Sequence, residues 1–343
     1  MAKSRRPKIK EIVAELERFF GQRVMKMAAP GGKARDSYRV HFDDRSIIVT
    51  YRESSGRTRL EARVLQALSP ICPEVPQFLG CENNFLYQGD VGDIRLSQQV
   101  HNMDPSARPQ LAAKAVTAIF RIQNAARHAP ELNDLPHLGA EPEWVASLVD
   151  SIDKLAVFLR QGAPEFDRVS VCERLSQPSA QFVKWDCRAG NAAVDPAGKV
   201  SWFDFEYCGR RHGAEDLAWL IGDEIWPVEP QVMFDIVNDA FDPATGHARD
   251  AYLDYLGLYT TFHAIQRVLL VIREVKRRGW STQDRALRYD KVGTHPLLGA
   301  GIADTAAFCA DRNPLTRPLR PLLEEVSRTF SQAMPDNRRK MAS

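Results

Sequence analysis

The sequence predicts an α+β fold in two lobes, with a small antiparallel sheet within residues 1–90 and a larger, mainly helical body over 91–343. Three observations predict it. Short runs of strand-like residues separated by turn chemistry fill the first part of the chain. Long stretches with apolar residues at helical spacing fill the rest. A length of 343 residues suits two lobes better than one small core.

Taken in order, residues 7–20 put Ile9, Ile12, Val13, Leu16, Phe19 and Phe20 on one helical face, which predicts a helix packed on the sheet. Strands are expected at 24–27, at 37–42 and, after the turn Asp43-Asp44-Arg45, at 46–52. Side chains alternate along a strand, so Ile48, Thr50 and Arg52 share a face. A helix over 57–68 has Leu60, Val64 and Leu68 on its apolar side. Short strands at 75–79 and 85–87 lead to 88–96, which reads as the hinge between lobes. Helices follow at 106–127 and 141–160, the second with Trp144, Leu148, Ile152, Leu155 and Leu159 at helical spacing. These stripes read as core. Pro178 ends a helix, and 181–206 reads as strand, loop, strand, hairpin, strand, with Asp195-Pro196-Ala197-Gly198 as the turn. An acidic loop over 223–229 precedes helices at about 230–241 and 247–278, shorter helices and loops over 280–314, and a last helix at about 318–333. No internal repeat or low-complexity stretch is visible.

Composition narrows the function. The net charge is +2, so no global field points to nucleic acid or to a membrane surface. No apolar run reads as a membrane span; the closest, Leu269–Ile272, is bracketed by Arg267 and Arg273. Six cysteines without paired spacing imply free thiols and a reducing, cytoplasmic setting. Cys187, beside Asp186, is expected to be loop filler, or an alkylation-sensitive thiol if accessible.

The segment Lys184-Trp185-Asp186-Cys187-Arg188-Ala189-Gly190-Asn191 and the segment Trp202-Phe203-Asp204-Phe205-Glu206 carry the chemistry. They set an Asp, an Asn five residues later and a second Asp thirteen residues after that. A carboxylate suits orientation and deprotonation of an attacking hydroxyl. An amide oxygen and a second carboxylate suit a hard cation, which prefers oxygen ligands. Phosphoryl-transfer enzymes of the kinase type use this layout.

With Gly209–Trp219, which holds Asp216-Leu217-Ala218, these segments resemble the aminoglycoside phosphotransferase superfamily of small-molecule kinases. The resemblance covers roughly residues 24–225 in recognisable pieces. It implies a protein-kinase-like fold, with residues 1–90 as the nucleotide-binding lobe and 91–343 as the catalytic and substrate lobe. It implies ATP and Mg2+ as cofactors, Asp186 as the catalytic carboxylate, and Asn191 and Asp204 as metal ligands. Arg188 falls where protein kinases place a lysine for the γ-phosphate. Asp216 would be a buried carboxylate accepting backbone N–H bonds. Gly31-Gly32, followed by Tyr38-Arg39-Val40, is similar to the family's nucleotide loop, although its Ser-Asn is missing. Glu61 matches the family's Arg-x-Glu-Ala-x-Val-Leu helix, where it pairs with a strand lysine that holds phosphates. Backbone groups around Gln88–Asp90 would take the adenine edge.

The chain departs from the pattern at two further places. The strand lysine is missing; Thr50 is its likeliest positional equivalent, and Arg52 either reaches Glu61 and the phosphates or ends the strand in solvent. Lys184 stands where the family has His, and either adds positive charge beside Asp186 or points to solvent. The first reading is therefore an ATP- and Mg2+-dependent phosphotransferase acting on a hydroxyl of a small metabolite, or of an aminoglycoside- or choline-like compound. The acidic loop near the acceptor side would attract an amine. The competing reading is a catalytically impaired nucleotide-binding pseudokinase or sensor. A protein kinase fits less well, because no Ala-Pro-Glu motif follows Asp204.

Overall fold

The computed structural model describes residues 7–30, 37–176, 181–288 and 292–333. The N-terminal part is built around a five-stranded antiparallel sheet. Helix α1 (Ile9–Phe20) is followed by β1 (Lys26–Ala28), β2 (Ser37–His41), β3 (Ser46–Tyr51), helix α2 (Ser55–Leu68), β4 (Phe78–Glu82) and β5 (Phe85–Gly89), and the strands lie in the order β1-β2-β3-β5-β4. Strand alternation decides what each face does. Tyr38, Val40, Ile47, Val49, Tyr51, Phe85 and Tyr87 pack against Ile12 and Leu16 of α1. Ser37, Arg39, Ile48, Thr50 and Arg52 turn the other way and line a cleft. Gly80 (φ 146°) lies at an irregularity in the β4–β5 pairing, and a Cβ there would meet the Phe19 ring at 2.5 Å.

The rest is mainly helical. In chain order it comprises α3 (Leu96–Asn102), α4 (Arg108–Arg127), α5 (Pro142–Val149), α6 (Ser151–Phe158), α7 (Arg168–Leu175), β6 (Gln181–Val183), β7 (Ala192–Val194), β8 (Val200–Trp202), β9 (Gly209–Arg211), α8 (Ala214–Ile221), α9 (Pro230–Ala240), α10 (Arg249–Arg278), α11 (Gln283–Arg288), α12 (Pro296–Asp311) and α13 (Arg320–Gln332). The pairs β6–β9 and β7–β8 carry the two motif loops. One buried cluster runs from α2 through α4, α8, α10 and α12 to α13.

Three expectations change. The helix expected over 141–160 breaks at Asp150 into α5 and α6; the apolar stripe continues across the break because both pieces present the same side to the core. Within it Trp144 is only partly buried and its ring faces Trp185, with centroids 5.9 Å apart. The 16-residue α12 is longer than expected; it is apolar on most sides, so it shows no stripe. Helix α10 is long and apolar enough to cross a membrane, which the sequence reading did not credit. Of its most apolar window, 83% is buried inside this body. Pro178, Gly31 and Gly32 lie outside the described residues.

His212 is buried against Tyr255 (ring centroids 3.8 Å apart) and His247 (4.3 Å). Burial, with the neighbouring charges of His247 and Arg211, lowers its pKa to about 3. The unfolded chain takes up a proton near pH 6.5 that the folded chain refuses. A depressed folded pKa means stability present above pH 6.5 and lost as pH falls toward 3. The drop in unfolding free energy from pH 7 to pH 5 is expected to shrink by about 2 kcal/mol in His212→Asn relative to the parent protein, measured by urea unfolding at both pH values. Equal drops would contradict this.

Candidate active site

Two loops meet at the base of the cleft. The first runs from β6 to β7, ending in a 3-10 turn at Ala189–Asn191; the second follows β8. Three non-glycine residues there take left-handed backbone angles: Trp185 (φ 60°), Asp186 (φ 50°) and Asp204 (φ 67°). Such conformations persist only where surroundings enforce them. Asp216 of α8 is one enforcer. It is buried and accepts the backbone N–H of Lys184 (2.9 Å) and Trp185 (2.8 Å) and the Gln123 amide (3.0 Å). This is the structural role anticipated for it. Asp223, expected in an acidic loop facing substrate, is buried instead and accepts the N–H of Ala189 (3.2 Å).

Lys184 neither points to solvent nor sits beside the Asp186 carboxylate. It is 1% exposed, with its Nζ donating to the carbonyl of Asp204 (3.0 Å) and, at longer range, to that of Asp186 (3.5 Å), above the Phe205 ring. One buried ammonium therefore ties the two loops together. Lys184→Met removes that tie, and kcat is expected to fall about 100-fold, because sub-ångström misplacement of reacting groups is costly. An assay of kcat beside a thermal melt checks it; an intact fold with unchanged kcat would sink the assignment.

The predicted catalytic and metal residues converge. The Asp186 carboxylate accepts from Arg188 Nε (3.0 Å) and from Asn191 Nδ2 (2.9 Å). With its amide nitrogen spent on Asp186, Asn191 keeps its amide oxygen for another partner. Asp204 is partly exposed in the same cleft as Asn191. These oxygens suit Mg2+, which needs only one or two protein carboxylates when phosphates complete its shell. That agrees with finding no group of three or more His, Cys, Asp or Glu among the described residues that could hold a metal alone.

Arg52 is a hub. It pairs with Glu61 (2.6 Å), Glu206 (2.9 Å) and Asp204 (3.2 Å). Burial works against its charge, yet the three carboxylates together raise its pKa. Burial pushes the Glu61 carboxyl above its usual range and Arg52 pulls it back. Burial, reinforced by Asp204, also raises Glu206. Glu61 further accepts the backbone N–H of Phe205 (3.0 Å), locking α2 to the second loop.

The cleft has a volume of about 540 Å³, in the range of small-molecule sites. Gln88 and Asp90 both line it. The Gln88 amide oxygen is buried without a hydrogen-bond partner. The Asp90 side chain is engaged by Arg39 (2.7 Å) and Ser46 (2.7 Å), and the Gly89 N–H is taken by the Gln77 carbonyl (2.8 Å). Arg39 was not singled out from sequence; its alternation with Tyr38 and Val40 was the available signal. Asp186 and Arg188 line a second cavity, with Trp185, Trp219 and α10. Cys187 is buried and burial pushes its thiol well up, so it is not an accessible thiol; all six cysteines are unpaired.

A family model described as the phosphotransferase enzyme family APH matches residues 27–261, more than half of the chain. The chain belongs to the APH phosphotransferase family. As an APH member it is a phosphotransferase with an alcohol group as acceptor, on a protein-kinase-like fold. Among solved structures, the GDP complex of aminoglycoside 2'-phosphotransferase-IIIa aligns with TM-score 0.54 at 11% identity, over 94% of this chain and 99% of that one. A putative aminoglycoside phosphotransferase from Ralstonia eutropha aligns with TM-score 0.51 at 15% identity, over 94% and 99%. Spectinomycin phosphotransferase, in complex with ADP and spectinomycin, aligns with TM-score 0.50 at 12% identity, over 96% and 100%. Identities this low show the shared fold alone. No curated protein matches the APH chain by sequence.

Proposed function

We propose that this APH-family protein transfers the γ-phosphoryl group of ATP, in a Mg2+-dependent reaction, to a hydroxyl of a small molecule. The observation that carries the reading is that Asp186, which lines one cavity, accepts a hydrogen bond (2.9 Å) from Asn191, which lines another. One holds Asn191, Asp204 and the Arg52–Glu61 pair; the other opens to solvent beside α10. In this reading residues 1–90 form the nucleotide lobe and 91–343 the catalytic and acceptor lobe. The GDP and ADP complexes of the structural neighbours support a purine nucleotide in the cleft. The unpartnered Gln88 oxygen supplies an acceptor for a donor on the base.

Asp186 orients the acceptor hydroxyl and takes its proton as the new O–P bond forms and the bond to ADP breaks. Asn191 and Asp204 hold Mg2+, which when bound neutralises charge on the phosphates. Arg52 fills the strand-lysine position from one step further along, and Lys184 fills the position of the family's His. Both substitutions that motivated the sensor reading thus have working replacements.

The test is ADP release from Mg-ATP across a panel of sugars, amino alcohols, hydroxy acids and antibiotics, with the acceptor's mass followed in parallel. Acceptor-dependent turnover with a phosphorylated product is expected. Magnesium-dependent ATP binding with no turnover on any acceptor would favour the sensor instead.

A further inference from the structure

We propose that the acceptor is an anion, a hydroxyl compound bearing a carboxylate or phosphate, held beside Asp186 by the arginine face of α10. The proposal rests on the phosphotransfer reading and narrows its acceptor. The cavity that opens on Asp186, about 870 Å³ in volume, is lined by Arg188, Arg267, Arg273, Arg277, Arg278 and Arg285, against two carboxylates, Asp186 and Glu274. Positions 267, 270, 273/274 and 277/278 step by three or four residues, so they share one face of α10.

The pairing leaves an excess of positive charge. Arg267 is neutralised by buried Glu224 (2.7 Å), which also accepts the Gly293 N–H (2.8 Å). Glu224 therefore offers nothing to an amine, contrary to the expectation for the acidic loop. Glu274 is shared between Arg277 (2.6 Å) and Arg278 (3.2 Å). Arg273 forms no ion pair with a described residue. The adjoining cavity adds Lys154, Arg160 and Lys276 and, among the described residues, no carboxylate, with Trp144, Trp185 and Trp219 along one wall.

Basic residues in the last turn of a helix also complement its dipole, which would account for Lys276, Arg277 and Arg278 alone. It does not account for Arg273 a turn earlier, Arg188 from the first motif loop, or Lys154 and Arg160 from around α6. Cations from the first motif loop, α10 and α11 line the cavity beside Asp186, and Lys154 and Arg160 line the adjoining one. Such a cleft concentrates anions and opposes a polyamine. The tryptophan faces offer a ring-stacking surface beside it.

The experiment compares gluconate, glucose 6-phosphate, glucose and glucosamine. Binding is read by tryptophan fluorescence, turnover by ADP release with Mg-ATP, and Mg-ATP affinity is measured in parallel. At least one acid is expected to bind ~10-fold or more tighter than glucose, with glucosamine weakest and the preference shrinking in high salt. Which acid leads decides between carboxylate and phosphate. Arg273→Glu is expected to abolish the preference through KM while Mg-ATP affinity stays unchanged. Glucosamine binding as tightly as either acid, an unaltered order in Arg273→Glu, or no binding of any of the four by protein that still binds Mg-ATP would each overturn the proposal. Failure to bind Mg-ATP at all would instead overturn the phosphotransfer reading beneath it.

Discussion

Asp186→Asn is expected to lower kcat by about 1,000-fold while leaving Mg-ATP affinity nearly unchanged. The substitution keeps size and shape but removes the basic oxygen proposed to take the acceptor's proton, and general-base contributions are typically about 10²–10⁴-fold. It also sets an amide where two donors, Arg188 Nε and Asn191 Nδ2, each need an acceptor. At least one contact must then break, so the acceptor-side geometry loosens as well. Because Asp186 lines the proposed acceptor cavity and Asn191 and Asp204 line the proposed nucleotide cleft, the loss belongs in turnover. Single-turnover phosphate transfer beside nucleotide titration checks it. A kcat reduced less than tenfold would mean that Asp186 is not the base.

Arg52→Ala has the largest expected effect on stability, a loss of about 3–5 kcal/mol, because it leaves the carboxylate of Glu61 buried and unpaired. Glu61 is 1% exposed and its only ion-pair partner among the described residues is Arg52. The pH dependence separates this cause from lost packing. Without Arg52, burial acts on Glu61 opposed only by the Phe205 N–H bond, and its folded pKa rises further above 4.5. A raised folded pKa favours the fold below the unfolded pKa, and that contribution is lost as pH rises through the folded value. The variant's deficit is therefore expected to be smaller at pH 5 than at pH 8. Arg52→Lys keeps one charge but lacks the planar fork that reaches Glu61, Glu206 and Asp204 together, so an intermediate loss is expected. Urea unfolding of both variants at two pH values measures this. A deficit independent of pH would assign the effect to packing.

What could be read from sequence was what residue type and short-range spacing determine. Asp186, Asn191 and Asp204 stand at intervals that a loop, a hairpin and a second loop bring together, and their chemistry names their task. Strand alternation put Arg52 on the cleft side, and the structure shows the pairing with Glu61 that alternation allowed. Long-range pairing was not legible. Glu224 looks like a surface acid until Arg267, 43 residues away, closes on it. Lys184 looks like a solvated lysine, because nothing local says that two backbone carbonyls and a phenyl ring surround it. The left-handed backbone at Trp185 and Asp186 depends on Asp216, 31 residues from Trp185. The arginine stripe of α10 is visible as spacing. Its meaning as a cavity lining needed the placement of Arg188 in the same cavity and of Lys154 in the adjoining one.

The most direct test of the central claim is electron paramagnetic resonance of Mn2+, standing in for Mg2+, titrated with a non-hydrolysable ATP analogue. Parent protein is expected to bind Mn2+ in a nucleotide-dependent way, and both Asn191→Ala and Asp204→Ala to weaken that binding by roughly tenfold or more, since each removes a proposed oxygen ligand. Equal Mn2+ affinity in all three proteins, or binding indifferent to nucleotide, would contradict the account.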